Sequence, residues 1–118
     1  MHNEESPLRA YEILVGKVAD DLADPWFGEQ LARYRAGDKA AMRLISERCL
    51  RRVLEIAKKH WRPSHQMSVL DVVQEGNAAL VQVIKEYRGT TADDFLRDMS
   101  SAVENHIQRL LENNLGTN

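Results

Sequence analysis

The stretch Val69-Leu70-Asp71-Val72-Val73-Gln74-Glu75-Gly76-Asn77-Ala78-Ala79-Leu80-Val81-Gln82-Val83-Ile84-Lys85-Glu86-Tyr87 decides the fold. Leu70, Val73, Leu80, Val81, Ile84 and Tyr87 recur at helical spacing and form an apolar stripe. Asp71, Gln74, Glu75 and Ala78 are three or four residues apart, so they share a different face of the same helix. Ser68 is a natural cap with Asp71 three residues on, and Gly89 is a natural stop. Gly76 is out of place in a helix interior, where glycine costs about 1 kcal/mol relative to alanine. Its presence predicts a close approach there, by another helix or by a partner protein.

Outward from this helix the pattern stays helical. Ser6-Pro7 opens a helix predicted to run to Leu22, with Leu8, Tyr11, Val15, Val18 and Leu22 on one stripe. That stripe fits either docking on the body or pairing with a second copy. Asp24-Pro25 repeats the signal of a capping residue followed by proline, and a short helix follows through Trp26, Phe27, Leu31 and Tyr34. Gly37 should stop it and Asp38 should cap the next. One long helix is expected from Lys39 to Trp61, with Met42, Ile45, Cys49, Val53, Ile56 and His60 on its core face. Arg62-Pro63-Ser64-His65-Gln66 reads as a loop. Thr91 with Asp94 starts a last helix using Phe95, Met99, Ala102, Val103, Ile107, Leu110 and Leu111, before a frayed end at Leu115-Gly116-Thr117-Asn118. No segment alternates as a strand does. The expectation is an all-α bundle of about five helices with short connections.

A chain of 118 residues suits one domain and can bury about two-thirds of its unfolded surface. With Cys49 as the single cysteine, no intrachain disulfide can form. No apolar run is long enough to span a bilayer, so no membrane contact is expected. Met1-His2-Asn3-Glu4-Glu5 lacks the basic and apolar parts of a signal peptide, and a cytoplasmic protein is expected. Net charge is −2, but its distribution is segmented. Residues 1–38 hold eight acids and four Lys/Arg, residues 39–62 hold two and eight, and residues 63–118 hold eight and four. The basic segment fits either a DNA backbone contact or a solvated helix face.

The residues give no catalytic pattern. His60 and His65 are five apart across a predicted helix end and Cys49 is eleven before His60, neither a metal-ligand spacing, so no metal or other cofactor is expected. Cys49 falls on an apolar stripe, as a small core residue would. There is no glycine-rich phosphate loop, and Asp93-Asp94 suits a helix N-terminus. A non-enzyme is the expectation.

Three blocks carry a resemblance. Leu31-Ala32-Arg33-Tyr34-Arg35-Ala36-Gly37-Asp38-Lys39-Ala40-Ala41, then Arg52-Val53-Leu54-Glu55-Ile56-Ala57-Lys58-Lys59-His60, then Leu70 to Asn77, resemble region two of bacterial sigma factors, the RNA polymerase specificity subunits. The order and separations match almost without gaps from Leu31 to about Tyr87, roughly half the chain. The resemblance divides the chain into an added N-terminal helix, 1–24, and a region-two-like domain, 25–118. It implies that Asp71, Gln74, Glu75 and Asn77 dock on a coiled coil of the largest polymerase core subunit. It implies promoter DNA and an anti-sigma factor as further partners, with a homodimer through the N-terminal helix as an added expectation. The candidate DNA-contacting residues are Arg51, Lys58, Lys59, Trp61, Tyr87, Arg88 and Phe95, with Trp61 fitting equally a hydrophobic lid.

The last helix departs from the family. Phe95 matches, but Asp98 stands where an aromatic ring is expected, Ser101-Ala102 where primary sigma factors carry a tryptophan pair, and Glu104 where an arginine is usual. Thr90 to Glu112 holds five acids and two arginines, a balance that phosphates repel. Two functions therefore stand: a polymerase-binding protein of transcription initiation that contacts minus-ten DNA, or a regulatory protein with the same fold that neither recognises nor melts promoter DNA.

Overall fold

The computed structural model describes residues 6–113, so the acidic start Met1–Glu5 and the expected frayed end Leu115–Asn118 lie outside the described residues. Among the described residues the chain forms six helices: α1 (Pro7–Gly16), α2 (Trp26–Arg35), α3 (Lys39–Arg48), α4 (Leu50–His60), α5 (Val69–Glu86) and α6 (Ala92–Glu112). Polar caps set the starts of α1, α3, α5 and α6. Side chains of Ser6, Asp38, Ser68 and Thr91 accept from the backbone N–H of Arg9, Ala40, Asp71 and Asp94. Gly37, at φ 108°, takes the left-handed turn between α2 and α3 that a side chain would resist.

One continuous core draws on all six helices of the described residues. Phe27 and Leu31 of α2, Ile45 of α3, Val53 and Ala57 of α4, Val72, Val73, Leu80 and Ile84 of α5, and Phe95, Met99, Val103 and Ile107 of α6 are buried together. Val15 of α1 and Leu22 beyond it belong to the same core. The stripe of α1 docks on that body: Leu8 and Tyr11 pack against the core, leaving Ile13 and Leu14 outward.

Three expectations are corrected. The segment 39–61 is two helices, separated at Cys49, because α3 packs on α2 while α4 packs on α5 and α6, and one straight rod cannot serve both. Cys49 N bonds Ser46 O at the break, and Cys49 itself is fully buried. Past the break Leu54 and Ala57 turn inward, while Ile56 and His60 are only half-buried. Second, α1 ends at Gly16 rather than Leu22, and residues 17–25 cross the bundle as an irregular strap. Third, Asp24 does not cap α2. Its carboxylate accepts from Ala92 N at 3.2 Å and ties the strap to the start of α6.

Gly76 explains itself in the packing. A Cβ there would stand 2.7 Å from Val53 Cγ1 of α4, 3.2 Å from Ile107 Cδ1 and 3.4 Å from Val103 Cγ1 of α6. The close approach is internal: α5 lies between α4 and α6 at this point. Gly76→Ala would gain about 1 kcal/mol of helix propensity. It would lose about 1–3 kcal/mol to overpacking against stiff β-branched neighbours. We expect net destabilisation in urea or thermal denaturation, with Gly76→Leu more damaging. A Gly76→Ala protein more stable than the parent would mean that Val53 moves aside freely.

Candidate functional site

The core stripe of α5 fixes what its other face offers. With Val69, Val72, Val73, Gly76, Leu80 and Ile84 buried, Asp71, Gln74 and Ala78 are exposed and Glu75 is half-buried beside them. The stripe expected to include Leu70 and Val81 is rotated slightly, and both are half-buried. Asp71 has no ion pair among the described residues. Glu75 Oε1 lies 3.1 Å from His106 Nε2 of α6. Asn77 is turned toward the body, and its buried Oδ1 has no hydrogen-bond partner among the described residues. Three of the four candidate docking residues thus share an open polar surface, and Asn77 flanks it.

The candidate DNA residues fall into two groups. Phe95 is fully buried and Tyr87 is 8% exposed. Their rings pack on each other at 5.4 Å between centroids and on Phe27 at 4.9 and 6.1 Å respectively. Tyr87 Oη donates to Thr91 O, and Arg35 donates to the carbonyls of Tyr87 and Gly89, so the α5–α6 turn is clamped to α2. These two rings are core in this chain rather than surface for a base to stack on. Trp61 is half-buried and donates from Nε1 to Met67 O at 2.7 Å, closing the loop before α5. Arg88 is exposed and carries no ion pair among the described residues.

Arg48 of α3 and the cations of α4 are engaged within the chain. Lys58 pairs with Glu12 of α1 at 2.6 Å, Arg51 with Asp20 at 3.0 Å and Arg48 with Asp21 at 3.2 Å. Arg52 and Arg48 also donate to the strap carbonyls of Asp20 and Asp21, and Arg48 stacks on the Trp26 ring at 3.9 Å. On the other flank Lys59 Nζ and His60 Nε2 approach Glu104 Oε2 of α6 at 3.0 and 2.5 Å. Sequence reading missed Glu12, Asp20, Asp21 and Glu104 as partners. The available signal was the acid excess on both sides of the basic segment.

Among the described residues no three His, Cys, Asp or Glu side chains converge as metal ligands. No helix among them is long and apolar enough to cross a membrane. Burial pushes the Cys49 thiol up to about 12, with nearby Arg52 opposing weakly, so it stays protonated and inert.

A helical bundle with one polar face of its central helix left open is what the fold and the site define. The comparisons with known proteins make this specific. The chain is 34% identical over 84 residues to RNA polymerase sigma factor SigA of Clostridium acetobutylicum, covering 70% of this chain and 21% of that protein. It is 35% identical over 81 residues to SigA of a Bacillus species, covering 69% and 21%. No family model matches the chain. The chain contains a sigma-factor-like region and spans about a fifth of the length of the curated relatives it matches.

Hydrogen bonds from His60, then from Lys59, hold the Glu104 carboxyl below its ordinary value of 4.5. A carboxyl lowered on folding stabilises fully above its unfolded value and loses that contribution as pH falls through the folded one. Solvent screening limits the effect of this partly exposed cluster to under about 1 kcal/mol. We expect Glu104→Gln to be less stable than the parent at pH 7, with the gap narrowing below about pH 4.5 in urea denaturation. A gap independent of pH would assign the effect to packing.

Proposed function

We propose that this chain binds RNA polymerase core through the exposed face of α5 and acts in transcription initiation as a non-catalytic protein. Asp71, Gln74 and Glu75 form the contact, with Asn77 at its edge. The observation that carries this reading is their shared open face on a helix whose opposite face is fully packed. Two of them are carboxylates with no Lys or Arg partner among the described residues, the arrangement that accepts charge-assisted bonds from a basic partner helix. The sigma-factor-like region supports the choice of partner.

Of the two roles in initiation, the one without promoter melting has specific support. Phe95 and Tyr87 are occupied in the core, and Arg51, Lys58 and Lys59 are paired inside the chain. Held flipped bases need stacking rings and cations, and the α6 surface carries Asp94 and Asp98 instead.

The parent chain should bind purified polymerase core, and Asp71→Ala with Gln74→Ala should weaken binding at least tenfold at unchanged helix content. Equal binding by that double variant would remove α5 as the contact. In the same series, single-stranded minus-ten DNA should show no sequence preference for this chain. Specific retention of that strand would restore the promoter-contacting role.

A further inference from the structure

Beside the α5 face runs a groove of about 370 Å³ between α5 and α6. Tyr87 packs on Phe95, and Gly76 faces Val103 and Ile107, so the two helices run antiparallel. Glu75, Ala79, Val83 and Glu86 line the groove from α5, and Ala102 and His106 from α6. Its middle is open because the facing residues, Ala79 and Ala102, are alanines. Ala102 stands where the sigma-factor resemblance places a tryptophan, so the volume of a large ring is left open here.

Charge marks its two ends. Glu75 sits at one, bonded to His106, and Glu86 at the other, where its carboxylate accepts from Gln82 Nε2 at 2.5 Å. Neither is paired with Lys or Arg among the described residues, although Arg109 borders the His106 end. Eleven residues of helix separate the two carboxylates by about 16 Å. Glu75 is shared with the polar face of Asp71 and Gln74, so groove and face form one continuous surface.

We propose that this groove seats one large apolar side chain of the basic helix that docks on α5, flanked on that helix by Lys or Arg about three turns apart that meet Glu75 and Glu86. The inference rests on the polymerase-binding reading and adds α6 to the contact: Ala102 and His106 form its second wall. The committed occupant is a helix of the polymerase's largest subunit. An apolar anchor in a pocket with charges at the rim is the usual economy of a protein interface, where few residues carry most of the affinity.

The test uses the full chain and purified polymerase core. Ala102→Trp fills the groove without touching Asp71 or Gln74, and should weaken binding at least tenfold at unchanged helix content and thermal midpoint. A second measurement stands if that variant folds poorly. Ala102→Cys, labelled with a benzophenone maleimide while Cys49 stays buried and unlabelled, should photo-crosslink to the largest subunit. The same probe at Arg43→Cys, exposed on α3, should not. Folded Ala102→Trp that binds like the parent, or a probe at 102 that crosslinks elsewhere or nowhere, overturns the groove and leaves the α5 reading standing if Asp71→Ala with Gln74→Ala still loses binding. A parent chain that does not bind core overturns both together.

Discussion

The close approach at Gly76 organises the molecule. Val53 of α4 and Val103 and Ile107 of α6 close on the one position of α5 that has no side chain. With the neighbours that near, α5 cannot rotate or slide without driving a Cβ or a backbone atom into a methyl group. Interiors are packed too densely to absorb such a shift. The orientation of α5 about its own axis is therefore set by the core, and so is the direction of Asp71, Gln74 and Glu75 on the opposite side. The close packing that Gly76 permits, at a cost in helix propensity, is what holds the outward face fixed.

Charge completes what packing begins. Helix α4 and the end of α3 are positive, and acids reach them from both flanks: Glu12 and Asp20 pair with Lys58 and Arg51 of α4, Asp21 with Arg48 of α3, and Glu104 of α6 with Lys59. Each such surface pair is worth little alone. Together they occupy Arg48, Arg51, Lys58 and Lys59, while Asp71, Asp93 and Asp98 stay exposed with no ion pair among the described residues. A surface of that sign attracts a basic protein helix and repels a phosphate backbone. The same internal pairing docks α1 on α4 through Glu12 and Lys58.

What the sequence carried legibly was whatever a local rule encodes. Caps at Ser6, Asp38, Ser68 and Thr91, the stop at Gly37 and the polar face of α5 are settled within a few residues, and all stand as read. The break at Cys49 was not legible. No Gly or Pro marks it, and it exists because two halves of one helical pattern pack on different neighbours. Asp24 misled for a similar reason: its best donor is Ala92 N, sixty-eight residues away, rather than the helix beside it. In the site, the basic stripe of 43–62 read as free charge because sequence spacing cannot show that Glu12 or Glu104 will arrive next to it.

The aromatic residues give the last step. Phe27, Tyr87 and Phe95 form one buried cluster that joins α2 to the α5–α6 turn, with Arg35 clamping the carbonyls of Tyr87 and Gly89. Gly89 belongs to it as well, since a Cβ there would collide with the Tyr87 hydroxyl. These rings hold the turn and the start of α6 in place. One and two turns further along α6, where the rings of a sigma factor would matter for DNA, the chain has Asp98, Ser101 and Ala102, with Asp98 and Ser101 exposed. The residue types that stabilise the region are present, and those that would grip an unpaired base from its surface are replaced by an acid and two small side chains. The small side chains are not neutral in their effect, for Ala102 lines a groove that adjoins the exposed polar face of α5.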